Sequence, residues 1–290
     1  MEFLSYLISG ISLGSVYAII ALGYTMVYGI AKMLNFAHGD VIMVGGYMIY
    51  VGLTITGNPI VSFLVAVLLC IILGITIEKI AYRPLRGASP LAVLITAIGV
   101  SYLLQSSAQM IFGSAPKMVT IADLGSISFA GLTIPVYILV TLACSIVIMT
   151  ALTLFVKYTR TGRAMIAVSE DKGAAQLMGI NVNRIIMITF AIGSGLAAFA
   201  GLFMLMKSPS LSNTLGAMPG IKAFTAAVIG GIGSIPGAML GGILMGVVEA
   251  ISLKIPVIAP YTDAIEFIIL IIILLVKPTG ILGKKRREKV

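Results

Sequence analysis

Residues 223–248 read AFTAAVIGGIGSIPGAMLGGILMGVV, an apolar stretch interrupted by four Gly and one Pro within residues 230–237. The stretch carries no charge and is longer than the about 20 apolar residues that a helix needs to cross a bilayer. Glycine weakens a helix and proline removes one of its backbone hydrogen bonds, so a straight helix does not continue through residues 230–237. The segment therefore predicts a half-helix that enters the membrane and a second one that returns.

The whole chain has the composition of a protein that lies mostly in lipid. Of its 290 residues, 59% are hydrophobic and 10% are charged, whereas a soluble domain has about 25% charged residues. Continuous charge-free runs predict helices rather than a strand barrel; they cover residues 3–31, 41–77 (divided at Gly57-Asn58-Pro59), 87–116, 124–156 and 185–206. A last apolar segment, 261–276, is shorter and carries Asp263 and Glu266 in its first turn. We predict an all-α polytopic membrane protein with about eight hydrophobic helical segments, at least one of them broken or re-entrant, and one transmembrane domain over residues 1–290.

Lysine and arginine are concentrated in residues 79–86, 157–184 and 277–290. Basic loops stay in the cytoplasm, so these segments predict a multi-pass membrane protein with a cytoplasmic loop at 157–184 and a basic cytoplasmic tail at 277–290. Three apolar segments lie between the clusters 157–184 and 277–290. Both clusters can face the cytoplasm only if the chain crosses the membrane an even number of times between them, so residues 223–250 must enter and return on one side. Residues 207–222 and 254–262 are then expected on the opposite side. The net charge of +9 indicates topology and contact with membrane lipid, and it does not indicate nucleic acid.

Two interruptions in the apolar runs are candidate sites. Irregular backbone at membrane depth is tolerated where it lines a cavity or is buried in protein, and broken helices often build substrate sites. We predict that eight residues border a translocation path: Asn35, His38, Gly39, Asp40, Gly230, Gly231, Gly233 and Ser234. The alternatives are an interfacial loop at 35–40 and close-packing glycines. For His38 and Asp40 we favour a structural pair or fixed polar wall over a proton relay, and we expect Glu78 and Glu249 to be solvated near helix ends.

The polar segment 157–184 predicts a short docking helix. Glu170 and Asp171 suit a helix N-terminus, and Gly179 suits the position just past its end. Between them Ala174, Ala175 and Leu177, with Met178, predict an exposed apolar face that fits a groove on another protein. Arg163 adds a cation beside this face. The alternative is a helix lying flat on lipid headgroups.

Enzyme signatures are missing from the sequence. It contains no GxxxxGK[ST], HExxH or GxSxG motif, and its single His cannot form a metal cluster. Cys70 and Cys144 stand alone in apolar helices and predict neither a disulfide nor a metal site. We expect no cofactor and no enzymatic activity, and any ATP hydrolysis must reside in partner chains.

Several motifs carry a family resemblance. They are Gly173-Ala174-Ala175 with Gly179, Asn35-Phe36-Ala37-His38-Gly39, Ala81-Tyr82-Arg83-Pro84, Gly162-Arg163-Ala164, Gly179-Ile180-Asn181, the run 223–238, and Pro278-Thr279-Gly280-Ile281-Leu282-Gly283. Through them the whole chain resembles the LivH-type permeases of high-affinity branched-chain amino acid ABC importers. It departs from the coupling-loop pattern of such permeases at Gly173, which replaces Glu, and in lacking a distal Leu-Pro.

The resemblance implies a fold and a set of partners. The fold is that of a type II ABC-importer permease, with residues Arg163, Glu170, Asp171, Ala174, Ala175, Leu177 and Gly179 coupling it to ATPases. The implied partners are a LivM-like second permease, two LivG/LivF-like ATPase subunits and a periplasmic substrate-binding protein. The implied function is import of branched-chain amino acids across the bacterial inner membrane. Two alternatives stay open: a related permease for another small solute such as urea or an amide, and a secondary transporter or channel that works alone.

Overall fold

The computed structural model describes residues 2–121, 124–129 and 132–283, so half of the predicted basic tail, residues 284–290, lies outside the described residues. The structure is mainly helical. Its helices are α1 (Glu2–Ala31), α2 (His38–Thr56), α3 (Pro59–Ile77), α4 (Pro90–Phe112), α5 (Val136–Tyr158), α6 (Arg160–Glu170), α7 (Lys172–Leu177), α8 (Val182–Lys207), α9 (Ala217–Gly230), α10 (Ile235–Ser252) and α11 (Thr262–Val276). Its strands are β1 (Lys117–Met118), β2 (Ser126–Phe129), β3 (Leu132–Pro135) and β4 (Ser210–Leu211).

Eight of these helices, within the described ranges, are long and apolar enough to cross a membrane: α1, α2, α3, α4, α5, α8, α10 and α11. Helix α9, at 14 residues, is the shorter apolar piece. The predicted fold class is confirmed, and the break in the run 223–250 falls between α9 and α10.

Helix α1 is the centre of the bundle. It packs antiparallel on α10, where Gly10 faces Val247 and Gly14 faces Ile243 at backbone distance. Small residues at such crossings let helices approach closely in lipid, where burial of apolar surface alone does not bring them together. By contrast, α4 and α11 keep many apolar side chains exposed, including Leu103 on α4 and Leu275 on α11. The bundle therefore has a central layer around α1 and peripheral helices that face outward.

The two ends of the bundle are identified by contacts between chain segments. At one end, Lys172 Nζ donates to the Ala31 carbonyl at 2.7 Å, and the Arg86 side chain contacts Asn183 at the start of α8. We call this end, which holds the basic segments, the basic face. At the opposite face β1 pairs with β4, so α4 and α8 both end there.

Two predicted helical runs are organised differently. Residues 124–156 contain the antiparallel hairpin β2–β3 before α5 begins at Val136. The polar–apolar alternation of Ser126–Phe129 favours a strand, and hydropathy alone hides it. The loop 157–184 holds two helices, α6 and α7, instead of one docking helix.

Candidate functional site

The break between α9 and α10 is built by glycines and a serine cap. Gly231 and Gly233 adopt φ values of 107° and 96°, a region that residues with a Cβ rarely enter. Ser234 then starts α10, because its side chain accepts a hydrogen bond from the Gly237 N–H at 3.2 Å. The sequence thus ends one helix and starts another within a few residues.

A segment far along the chain completes this break. We call residues 277–283 the C-terminal strap. Its Ile281 and Leu282 N–H groups donate to the carbonyls of Ile229 and Gly230 at 2.8 and 2.9 Å. These carbonyls end α9 and would otherwise lack helical partners. A side chain at Gly231 would clash with the strap backbone, so the close approach requires glycine there.

A cavity of about 1210 Å³ opens beside the break at the basic face. Gly233 and Ser234 line it, together with Gly29 near the end of α1, Glu170 on α6 and Thr279 of the strap. Of the predicted path residues, the structure places Gly233 and Ser234 on this cavity. Gly230 instead packs against the backbone of Gly237, and Gly231 packs against the strap.

The segment Asn35–Asp40 is buried inside the bundle. Asn35 Oδ1 accepts a hydrogen bond from Tyr82 at 2.9 Å, and Asp40 accepts one from Gln105 on α4 at 2.8 Å. His38 lies against Gly23 in the middle of α1, with its ring 4.8 Å from that of Tyr24. Helix α2 therefore begins inside the bundle, and the interfacial-loop alternative is wrong. His38 faces α1 while Asp40 faces α4, so the two side chains do not form a pair.

Gly39 brings the starts of two helices together. It touches the backbone of Gly216, which precedes α9, and of Gly220 within α9. A Cβ at Gly39 or Gly216 would clash with the other residue's carbonyl. The interruption at residues 35–40 thus meets the start of α9, and α2 and α9 begin side by side.

The predicted coupling residues lie at the basic face on α6, on α7 and just past its end. Asp171 caps α7, because its carboxylate accepts a hydrogen bond from the Ala174 N–H at 3.0 Å. Glu170 is the last residue of α6, so its predicted position at a helix N-terminus is wrong. Gly179, with φ of 82°, follows α7, and Ile180 N–H donates to the Ala175 carbonyl at 3.0 Å, as expected for a glycine-ended helix.

The exposed face of this segment differs from the predicted one. Ala175 is 4% exposed and packs into the chain's own core, so the prediction that it faces a partner is wrong. Leu177 and Met178 are 91% and 82% exposed. Ala174 and Arg163 are also exposed. The two large apolar side chains therefore form the outward surface.

Lys172 ties α7 to the end of α1. Its ammonium donates a hydrogen bond to the Ala31 carbonyl at 2.7 Å. Burial, and to a smaller extent the nearby positive charge of Arg86, lowers the pKa of this ammonium. Close to Ala31, Gly29 faces Gly233 across the break, where an added Cβ would lie 3.4 Å from the Gly233 Cα. A continuous set of contacts therefore runs from α7 through the end of α1 to the α9–α10 break.

The sequence interpretation missed a buried charge cluster. We call Lys222, Glu249, Asp263, Glu266 and Tyr17 the Lys222 cluster. The Lys222 ammonium lies 2.8 Å from Asp263 Oδ1, 3.0 Å from Glu249 Oε2 and 3.3 Å from Glu266 Oε2. Tyr17 donates a 2.6 Å hydrogen bond to Glu249. Helices α1, α9, α10 and α11 carry these residues and place the cluster inside the apolar bundle.

Two expectations are corrected here. Glu249 is buried rather than solvated, and Glu78, which lies outside the cluster, is buried and pairs with Arg86. The rule that ionisable groups within membrane helices mark functional sites would have found them. Each lies near the end of an apolar run, where sequence alone suggests solvent.

A family model described as "Branched-chain amino acid transport system / permease component" matches residues 6–274. The chain belongs to this permease family. It is 42% identical to the high-affinity branched-chain amino acid transport system permease protein BraD of Pseudomonas aeruginosa, over 100% of this chain and 98% of that protein. It is 43% identical, with the same coverage, to LivH of Escherichia coli K12, which bears the same description. A more distant relative, the ribose import permease protein RbsC of Haemophilus influenzae, is 29% identical over 80% of this chain and 72% of that protein.

Membership in the family agrees with the break and the cavity beside it. The chain is a multi-pass membrane permease with discontinuous helices, the arrangement by which membrane proteins often form a route for a solute.

Proposed function

We propose that this chain is the permease subunit of an ATP-driven importer for branched-chain amino acids. The observation that carries the proposal is the cavity at the α9–α10 break, in a chain of this family whose relatives are named for branched-chain amino acid transport. The path residues are then Gly233 and Ser234 at the cavity, with the buried wall of Asn35, His38, Gly39 and Asp40 supporting the neighbouring half-helix. Gly230 and Gly231 shape the break.

The basic face is the cytoplasmic face of the bacterial inner membrane in this proposal. The concentration of Lys and Arg at that end supports it. Because α1 ends at the basic face, the N-terminal end of the chain lies outside, and the strap with the tail after it lies inside. The sheet β1–β4 and the hairpin β2–β3 then face a periplasmic substrate-binding protein.

One of the two ATPase subunits docks on α7 in this proposal. Leu177 and Met178 supply the apolar surface that a partner groove requires, with Ala174 allowing close approach and Arg163 adding charge. Movement of α7 reaches α1 through Lys172 and reaches the break through Gly29. ATP binding in the partners thereby changes the cavity, and the chain itself needs no cofactor.

A second, related permease completes the path. A single copy leaves apolar side chains exposed on its peripheral helices, and lipid together with a LivM-like partner covers them. A transporter working alone would need a buried acidic coupling residue, and Glu249 and Glu266 are buried carboxylates. The relatives, each named as the permease protein of a transport system, support a multi-subunit system instead.

The test is reconstitution of the complex with its operon partners in vesicles. Uptake of leucine, isoleucine or valine that depends on ATP and on the binding protein is the expected result. Urea, acetamide and ribose serve as competitors, and uptake of one of them in preference to leucine would replace the proposed substrate class. Uptake by the permease alone would contradict the ATP-driven mechanism.

A further inference from the structure

The Lys222 cluster joins four helices, among them α9 and α10, which precede and follow the break. Lys222 is on the half-helix α9, Glu249 on α10, Asp263 and Glu266 on α11, and Tyr17 on α1. Charged side chains inside a membrane bundle are costly, and a buried ion pair seldom stabilises a fold more than apolar packing does. The cluster therefore calls for an explanation other than stability.

The three carboxylates are not equally satisfied. Glu249 has both Lys222 and the Tyr17 hydroxyl, and the half-exposed Asp263 has Lys222 at 2.8 Å. Glu266 is 0% exposed, and neither of its oxygens has a hydrogen-bond partner in the described part of the chain. A buried carboxyl without hydrogen bonds is energetically unfavourable. In the observed arrangement the Lys222 ammonium thus lies within ion-pair distance of Glu266 but makes its closer contacts with Asp263 and Glu249.

The geometry provides a second arrangement. Lys222 Nζ is already 3.3 Å from Glu266 Oε2, and the long lysine side chain can reorient without a large backbone movement. If the ammonium moves to Glu266, Glu249 keeps the Tyr17 hydrogen bond. Lys207 at the end of α8 also acts electrostatically on Glu249 and Lys222. The described residues contain no group of three side chains suited to a metal ion, so Lys222 is the cation that these carboxylates share.

We propose that Lys222 is a positioning residue that moves its hydrogen bonds from Glu249 on α10 to Glu266 on α11 during transport. The exchange turns α9 toward α11 and reshapes the break at its other end. This inference rests on the proposed function, in which the α9–α10 break borders the path.

The first test is Glu266→Gln in the assembled complex. It removes the charge that attracts Lys222 in the second arrangement and leaves the observed pairing with Glu249 intact. We expect unchanged or higher thermal stability, unchanged recovery of the complex, and uptake lowered on the order of tenfold, within the usual range of coupling energies. Tyr261→Phe is the control, because this exposed tyrosine lies just before α11 and outside the Lys222 cluster, and it keeps the uptake.

The second test measures the movement itself. Ile221 on α9, Leu240 on α10 and Ile268 on α11 are exposed, so cysteines placed there accept spin labels. In the nucleotide-trapped complex we expect the 221–268 distance to shorten relative to the 221–240 distance, and Glu266→Gln to abolish the change. Wild-type uptake in Glu266→Gln, or distances that nucleotide does not alter, would overturn the exchange.

The two proposals fail in different ways. If Gly233→Leu transports normally, the path assignment fails while the spin-label distances still report on Lys222. If Gly233→Leu blocks uptake but the distances do not move, the path stands and the exchange is wrong.

Discussion

Single residues decide where backbone segments of this protein can meet. Gly39 and Gly216 let α2 and α9 begin side by side, and Gly23 leaves room for the ring of His38. Gly233 differs from these, because a Cβ there meets the nearest heavy atom only at 3.9 Å. A side chain added at position 233 would point into open space beside the cavity.

Gly233→Leu tests the path at this position. The change strains the backbone by about 1–2 kcal/mol, because φ is 96°, and it places a bulky group at the cavity. We expect uptake to fall to background while the complex still assembles. Gly57→Leu is the matched control, since Gly57 has φ of 63°, open surroundings and a position at the other end of the bundle. A Gly233→Leu complex with normal uptake would remove Gly233 from the path.

Tyr82→Phe tests the anchoring of the segment before α2. The change removes the hydrogen bond to Asn35 Oδ1 and leaves a buried amide oxygen unpaired. The free energy of unfolding is expected to fall by about 1–3 kcal/mol, measured by denaturant or thermal unfolding of the purified permease. Tyr102→Phe, at an exposed tyrosine, should have no effect. Equal stability of the two variants would show that this bond does not hold the segment.

Residue types predicted the break but not the charge cluster. Glycine and proline act locally, so residues 230–237 indicate a broken helix without knowledge of the fold. Lys222 and Glu266 are buried only because α9 and α11 pack beside each other. This packing is a feature of the tertiary structure and does not show in the local sequence. Burial of Ala175 has the same origin, since α7 turns that face toward the bundle.

The helices and strands show which sequence patterns predict the secondary structure of the folded protein. Long apolar runs predicted the membrane helices because hydropathy over a whole span outweighs local detail. The hairpin β2–β3 was missed because its residues continue an uncharged run, and the division of α6 from α7 was missed because Asp171 caps a new helix.

Helix α7 carries the element-scale prediction. Met178→Arg places a charge on the proposed ATPase-docking surface, and the permease should insert normally but lose its ATPases during purification. Met118→Arg, an exposed methionine on β1 at the opposite face, is the control and should retain them. A surface helix bound to lipid gives the reverse result for α7, because an added Arg strengthens attraction to anionic headgroups. Retention of the ATPases by Met178→Arg would exclude the docking role.

Ala175→Arg is expected to behave differently from Met178→Arg. Ala175 is buried, so an arginine there would disturb the packing of α7 on the bundle. The amount of folded permease should fall, as measured by size-exclusion chromatography. Normal folding of Ala175→Arg would show that α7 does not pack as observed.

The chain crosses the bundle an even number of times between the segment 157–184 and the C-terminal strap. Helices α9 and α10 form a hairpin that starts and ends toward the same face, so the last helix returns the chain to the basic face. Charge clusters alone predicted this, because a membrane protein's topology depends on few residues.

Cysteine labelling tests this topology. In a background with Cys70 and Cys144 replaced, Thr214→Cys and Val257→Cys should react with an impermeant reagent added to intact cells. Leu177→Cys, which is more exposed than either of the native cysteines, should react only after permeabilisation. Labelling of Leu177→Cys in intact cells would invert the orientation.

The C-terminal strap has a consequence for how the protein is made. Ile281 and Leu282 hydrogen-bond to the last carbonyls of α9, yet the ribosome synthesises them after every membrane helix. A nascent chain can therefore have all its helices in the membrane and still lack the contacts that finish the break. Maturation of the route would then be among the last steps of biogenesis, which keeps a half-made permease from opening a leak across the bilayer.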